Sequence, residues 1–358
     1  MDNYNYQQTN QGTTEQVSFG SIHHNLADLT PTSSEVGHLW TAYLAESMSV
    51  CFLTKWSKEA QDPEINQYLR EVLTTSNERV QIMENLFKTI NYPIPLGFDE
   101  KDLNLNAPPL FSQAFTCLYT RMMQKMILHH YMCAATSSYR SDFLDFYSDC
   151  LKKSEALHRK ATEILLAKGI LQKHPSIVQP TSLETVSNKS YFGSYFHIFG
   201  DKRTLNAIEI SIIYTMMEIK QLVKTLQMGF SQTVKSKKVK EYLLKSIEIG
   251  SKQFDILARF LTEQEVARPS LSQILITNSQ ESAFSDRLIL THTSAATAYI
   301  ATAYGLGMPD LYRKDLTAAL MRFISEVLGL AKDGAELMVK EGWLEKIPET
   351  ANRKQLSH

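Results

Sequence analysis

Few side chains in this chain are spaced for chemistry. Glu155-Ala156-Leu157-His158 places a carboxylate and an imidazole three residues apart on one helical face. A helix in a di-metal carboxylate bundle supplies its two ligands in this way. Such a centre also needs a glutamate from each of two further helices and a second Glu-x-x-His. Glu46 and Glu78 are upstream acids that could serve, but Glu78-Arg79-Val80-Gln81 ends in glutamine where histidine is required. The segment between Phe111 and Thr136 contains Gln124 and no acid. His129 and His130 are a second lead, close to Met126 and Cys133. Adjacent imidazoles there could ligate a metal or act as a pH switch. The simpler expectation is a pair of core-edge histidines satisfied by a tyrosine, a serine or a carbonyl. His23, His24 and His38 fall near the N-terminus, and coincidence is the simplest account of them.

Direction weighs against the metal reading. At about 100° per residue, Glu155 falls roughly 110–155° from the middle of its apolar stripe, Glu46 about 145° and Glu78 about 155°. All three are therefore expected to face solvent. His158 lies nearer its stripe, at roughly 50–95°. The remaining chemistry is sparse: there is no G-x-G-x-x-G, phosphate loop or G-x-S-x-G elbow. No catalytic, cofactor-binding or metal-ligating residue is assigned, no cofactor is expected, and the chain reads as non-enzymatic.

The elements that would carry these residues repeat. Tyr139, Arg140 and Asp142 return as Tyr312, Arg313 and Asp315, and Gly169, Leu171, Lys173 and Pro175 return as Gly342, Leu344, Lys346 and Pro348, all 173 positions later. Glu35, Tyr68, Leu69 and Pro95 return as Glu209, Tyr242, Leu243 and Pro269 at an offset of 174. A shared offset over this span indicates a duplicated unit, with a one-residue change inside the stretch that follows the second helix. At that offset the equivalents of Glu155 and His158 are Leu328 and Ala331. The second unit therefore lacks even the partial ligand set.

Each unit reads as four helices. In the first they run from near Glu35 to Lys58, from Pro63 to Ile90, from Phe111 to Thr136 and from Asp142 to Lys168, with Gly169 as the final stop. The stretch from Ile94 to Leu110 is long for a loop and suits a crossover along the length of a bundle. The fold class is therefore all-α: two tandem antiparallel four-helix bundles of ferritin-like topology, with a long crossover between helices two and three of each. Residues 1–30 are expected to be a flexible polar tail, 31–172 the first bundle, 205–347 the second, and 348–358 a tail. Residues 173–204 carry Tyr191, Phe192, Tyr195, Phe196 and Phe199, and are expected to be a docked linker. Each unit is expected to hold its own core.

Bulk properties narrow the function classes. Apolar residues are 43% of the 358 and the net charge is -1, so the basic footprint of a nucleic-acid binder is missing. No apolar run reaches the roughly 18 residues of a membrane helix, and the polar start MDNYNYQQTNQGTTEQ does not read as a signal peptide. A soluble cytoplasmic protein is expected. The basic run Lys235 to Lys240 reads as a solvated connection. All four cysteines, Cys51, Cys117, Cys133 and Cys150, fall in the first unit, so the fold does not depend on disulfides. Cys51, Cys133 and Cys150 project onto core stripes, whereas Cys117 projects to the far side of its helix. The Met-rich face of helix three reads as core.

Four stretches carry a family resemblance: Leu39-Trp40-Thr41-Ala42-Tyr43-Leu44, Pro93-Ile94-Pro95-Leu96-Gly97-Phe98, the run from Gly200 to Ile210, and Gly342-Trp343-Leu344-Glu345. They resemble a Bacillus family catalogued only as a domain of unknown function, with similarity to spore-coat proteins of the F type. The resemblance implies tandem ferritin-like bundles and no established activity. It leaves a structural or sporulation- or stress-associated protein as the first expectation. A metal-binding ferritin-like store or oxidase using the first bundle alone, and a partner-binding scaffold, are the alternatives. Protein partners or a homo-oligomer stay open, and spore association goes with the first expectation.

Overall fold

The computed structural model describes residues 17–19, 22–25, 29–193, 203–269 and 275–353. A short antiparallel hairpin, β1 (Val17–Phe19) and β2 (Ile22–His24), lies within the stretch expected to be a flexible tail. Eight long helices follow among the described residues. The first unit holds α1 (Ser33–Glu59), α2 (Pro63–Thr89), α3 (Gln113–Thr136) and α4 (Ser141–Ala167). The second holds α5 (Ala207–Thr233), α6 (Lys237–Thr262), α7 (Asp286–Gly307) and α8 (Lys314–Lys340). Among the described residues, no helix is long and apolar enough to cross a membrane.

Local chemistry sets the helix ends. Thr32 and Glu35 form a capping box, and Asn206 with Glu209 repeats it. Asp62 caps α2 ahead of Pro63, and Ser112, Ser236 and Ser285 cap α3, α6 and α7. Gly169 and Gly342, at equivalent positions, follow the last helix of each unit with φ of +64° and +71°.

Within each unit the helices pack pairwise, α1 on α2 and α3 on α4, with α1 against α3 and α2 against α4; α5–α8 repeat the plan. Ser34 bonds Ser137 at one end of the α1–α3 pair, and Trp56 meets Tyr119 at the other, so the two helices run antiparallel. The crossover spans the length of the bundle. It leaves the far end of α2 and delivers Gln113, whose Oε1 accepts from the Asp62 amide at the near end.

The repeated Tyr-Arg-x-Asp has a structural role. Glu35 Oε1 accepts from the amides of Tyr139 and Arg140 at 2.7 and 2.9 Å, tying the start of α1 to the start of α4. Glu209 does the same with Tyr312 and Arg313 at 3.2 and 2.9 Å. Arg140 and Arg313 then form two-point ion pairs with Asp142 and Asp315. Burial alone would raise the Glu35 carboxyl, but bonds from Thr32, Tyr139 and Arg140 outweigh it and hold it below its usual value.

The units join about a local two-fold relation. The amide of Asn104 donates to Ala283 O at 2.8 Å, and its mate Thr277 donates to Leu110 O at 2.9 Å. Ser285 donates to Asp102 O at 2.9 Å, and Ser112 to Leu275 O at 3.0 Å. Each pair maps onto the other when the repeats are exchanged, which is the signature of an isologous contact. Beneath these strands Phe52 packs on Phe230 and Phe284, with ring centroids 6.1 and 4.6 Å away. One hydrophobic core runs through both units, and a second is confined to the first. The expectation of two separate cores is therefore corrected: small aromatic surfaces from both crossovers and from α1, α3, α5 and α7 complete each other.

In the linker, Tyr191 and Phe192 approach Tyr312 at 6.2 and 6.1 Å, and Arg203 lies 4.1 Å from the Tyr191 ring. Tyr195, Phe196 and Phe199 fall outside the described residues.

Candidate functional site

The interior of the first bundle corrects the expectation for Glu46. It does not face solvent: it is 3% exposed, and its Oε1 accepts from Arg79 Nη1 at 2.8 Å and Tyr131 Oη at 2.5 Å. Arg79 is equally buried and also donates to Cys150 O and Ser154 Oγ. Burial opposes the guanidinium charge, but Glu46 beside it more than compensates and raises its pKa. α1 carries apolar residues toward more than one neighbour, which blurs the stripe from which Glu46 was placed. It packs on α2 and α3 within its own unit, and on the second unit through Phe52. A helix buried on most sides does not reveal one inward direction.

The equivalent positions in the second unit are Lys220, Gln253 and Tyr304. Tyr304 donates to Gln253 Oε1 at 3.1 Å, and Gln253 Nε2 reaches Phe323 O and Glu326. Phe323 is the counterpart of Cys150, so the helix-to-helix bond survives although its residues differ. Lys220 sits 5.2 Å from the Tyr304 ring, and burial pushes its ammonium down to about 7. Both bundle centres are therefore filled by a cationic or amide side chain of the protein itself. That donor set does not fit a di-metal centre, which needs converging carboxylates.

Glu78 and Glu155 are exposed, as expected, and Glu78 pairs with Lys153 at 3.4 Å. His158 is half-buried, and burial with Arg121 and Lys125 nearby lowers it to about 4. These residues do not converge with Glu46. Among the described residues, no group of three or more His, Cys, Asp or Glu side chains is arranged to hold a metal ion.

His129 and His130 do come together with something, though with groups that spacing did not reveal. A cavity of about 380 Å³ opens between α1, α3 and α7. Met126, His129, His130 and Cys133 follow at helical spacing along its α3 wall, with Met123 and Gln124 a turn earlier. His38 stands opposite on α1, its ring 5.1 Å from that of His130. It is thus part of the cavity and not a coincidence of the N-terminal region. His130 Nε2 donates to His38 O at 3.2 Å. Burial, then His38, lowers His130 to about 4, so the imidazole is neutral at neutral pH. His129 Nε2 lies 3.8 Å from Cys133 Sγ.

The floor is Glu46, Met48, Gln124 and His292; the rim, formed by Thr41, Ala295, Ala298 and Thr302, is exposed. Cys133 is half-exposed at this wall, and Cys117 is fully buried. Both reverse the expected placements, because the first two turns of α3 are enclosed on every side while the later turns border the cavity. The Met-rich face is likewise divided: Met122 is core, whereas Met123 and Met126 line the cavity. What sequence reasoning missed was α7. Its Ala295, Ala298 and Thr302 spacing is the small-residue rim, but nothing in the sequence says which helix of the first unit it faces.

The fold and cavity define a class: paired four-helix units joined about a local two-fold relation, with no metal-ligand cluster among the described residues. The chain belongs to the family described as protein of unknown function (DUF3231), whose model matches it twice, over residues 26–183 and 194–356. Among solved structures it is similar to a putative spore coat protein from Bacillus halodurans, at 14% identity and a TM-score of 0.39, covering 42% of this chain and 98% of that one. No curated protein matches it.

Proposed function

We propose that this is a non-enzymatic protein of ferritin-like topology that has exchanged metal chemistry for internal side-chain pairs and serves a structural role associated with sporulation or stress. The observation that supports this most is Arg79. Its guanidinium is buried between α1, α2 and α4 and neutralises Glu46, the inward carboxylate that a metal would require. A bound cation at that height would have to displace a charge already paired and hydrogen-bonded on several sides.

The test is ferroxidation. Fe(II) added in air should oxidise no faster with the protein than without it, and dialysed protein should retain no stoichiometric iron. Stoichiometric iron that survives dialysis and is lost in Glu46→Ala or Glu155→Ala would overturn the reading. The cellular part is tested separately, by asking with an antibody whether the protein accumulates in spores or under stress in the source organism.

A further inference from the structure

We infer that the cavity between α1, α3 and α7 is a binding site for a small, uncharged, largely apolar molecule that carries one hydrogen-bond donor. Volume, lining and one orphaned polar atom point the same way. At about 380 Å³ the cavity lies at the small end of the range for ligand sites, about 300–1,000 Å³. Met48, Met123, Met126, Ile127 and three alanines share its walls with four histidines, and methionine adapts to irregular apolar shapes.

The orphan is Gln124. It is 5% exposed, it lines the cavity floor, and its Oε1 is buried without a hydrogen-bond partner. A buried acceptor in that condition has lost its hydration without replacement, a loss that a ligand donor would recover. Glu46 stands beside it on the floor, and both of its hydrogen bonds go to Oε1. The floor therefore offers acceptors.

Charge complementarity excludes ions. Glu46 is balanced by Arg79, and the His130 and His292 imidazoles are both neutral. An anion would meet the Glu46 carboxylate with no lysine or arginine in the lining, and a cation would have to share a carboxylate already paired. The site belongs to one half of the molecule. In the second unit the counterparts of His38, Gln124, His129 and His130 are Ile212, Thr297, Thr302 and Ala303, so duplication has left one such site.

The test uses the full chain and N-phenyl-1-naphthylamine, an uncharged aromatic with one N–H. Fluorescence titration should show saturable binding to one site per chain, with a Kd on the order of 10 μM. 8-Anilino-1-naphthalenesulfonate, which adds a sulfonate to a similar skeleton, should bind at least tenfold more weakly. Ala45→Phe fills the cavity from the α1 wall and should abolish binding. Gln124→Leu keeps the volume and should reduce the preference for the N–H probe over its N-methyl derivative from about fivefold to none. The Gln124→Leu result decides the matter even if Ala45→Phe fails to fold. The inference is overturned by no saturable binding, by equal or tighter binding of the sulfonate, or by an N–H preference unchanged in Gln124→Leu.

Discussion

Tyr119 and His292 hold equivalent positions in the two repeats, and they share a hydrogen bond of 2.8 Å. Residues that are each other's counterparts can touch only beside the axis that exchanges the repeats. Here the duplication has produced different side chains at the same place, and their difference makes the contact useful. A buried neutral imidazole and a phenol satisfy one another. Burial holds His292 at about 4, so the pair is uncharged at neutral pH.

Tyr119→Phe should therefore leave His292 Nε2 buried without its partner and lower stability by about 1–3 kcal/mol. His292→Phe should cost a similar amount through the Tyr119 hydroxyl. The double variant should cost less than the sum of the singles, because it removes both polar groups. Urea unfolding monitored by circular dichroism measures all three; strict additivity would show that the bond contributes nothing.

The shared core predicts how the halves behave when separated. Residues 176–190 are exposed, so a single cut there disturbs no packed surface. The two fragments should remain together on size exclusion, held by the Phe52–Phe230–Phe284 cluster and the four crossover amide bonds. Two independent peaks at micromolar concentration would refute the continuous core.

Glu46 and Arg79 should behave as a unit. Glu46→Leu or Arg79→Met alone leaves an unpaired buried charge and should cost about 3–5 kcal/mol. Glu46→Leu combined with Arg79→Met should cost markedly less, since no charge remains to be desolvated. Thermal or urea denaturation of the four proteins provides the cycle.

Lys220 makes stability rise with pH. Burial lowers its folded-state value to about 7, while the unfolded chain keeps the usual lysine value near 10.5. Between those values the unfolded state binds one more proton, so unfolding becomes less favourable as pH increases. Below about 7 both states are protonated and the destabilisation is fully present. Lys220→Met should remove this slope and stabilise the protein at neutral pH by on the order of 1–4 kcal/mol. The check is the melting temperature of both proteins from pH 6.5 to 10.

Thiol labelling should single out one cysteine. Burial pushes Cys51, Cys117 and Cys150 up to about 12, leaving almost no thiolate at neutral pH. Cys133 is half-exposed at the cavity wall and should react first. Peptide mapping after brief exposure of the native protein to iodoacetamide identifies the modified residue. Early modification of Cys117 would contradict its enclosure.

The helices, the duplication and the crossover were legible in the sequence. Each depends on local periodicity or on residues a few positions apart, such as Pro63 at the start of α2 and Gly169 after α4. The offset of 173 or 174 positions even assigns counterparts correctly across the units. Tertiary structure alone decided what α1 and α3 touch. Glu46 and Cys117 were misplaced for one reason: a helical projection assumes one buried side and one wet side. α1 and α3 also pack against the second unit, so their apolar residues point two ways, while Glu46, on Arg79, and Cys117, near Asp62 and Lys168, face the interior of their own unit. The cavity is the complement of that effect. Its walls come from helices more than 150 residues apart in the chain, α3 and α7, and no spacing within either helix records the gap left between them.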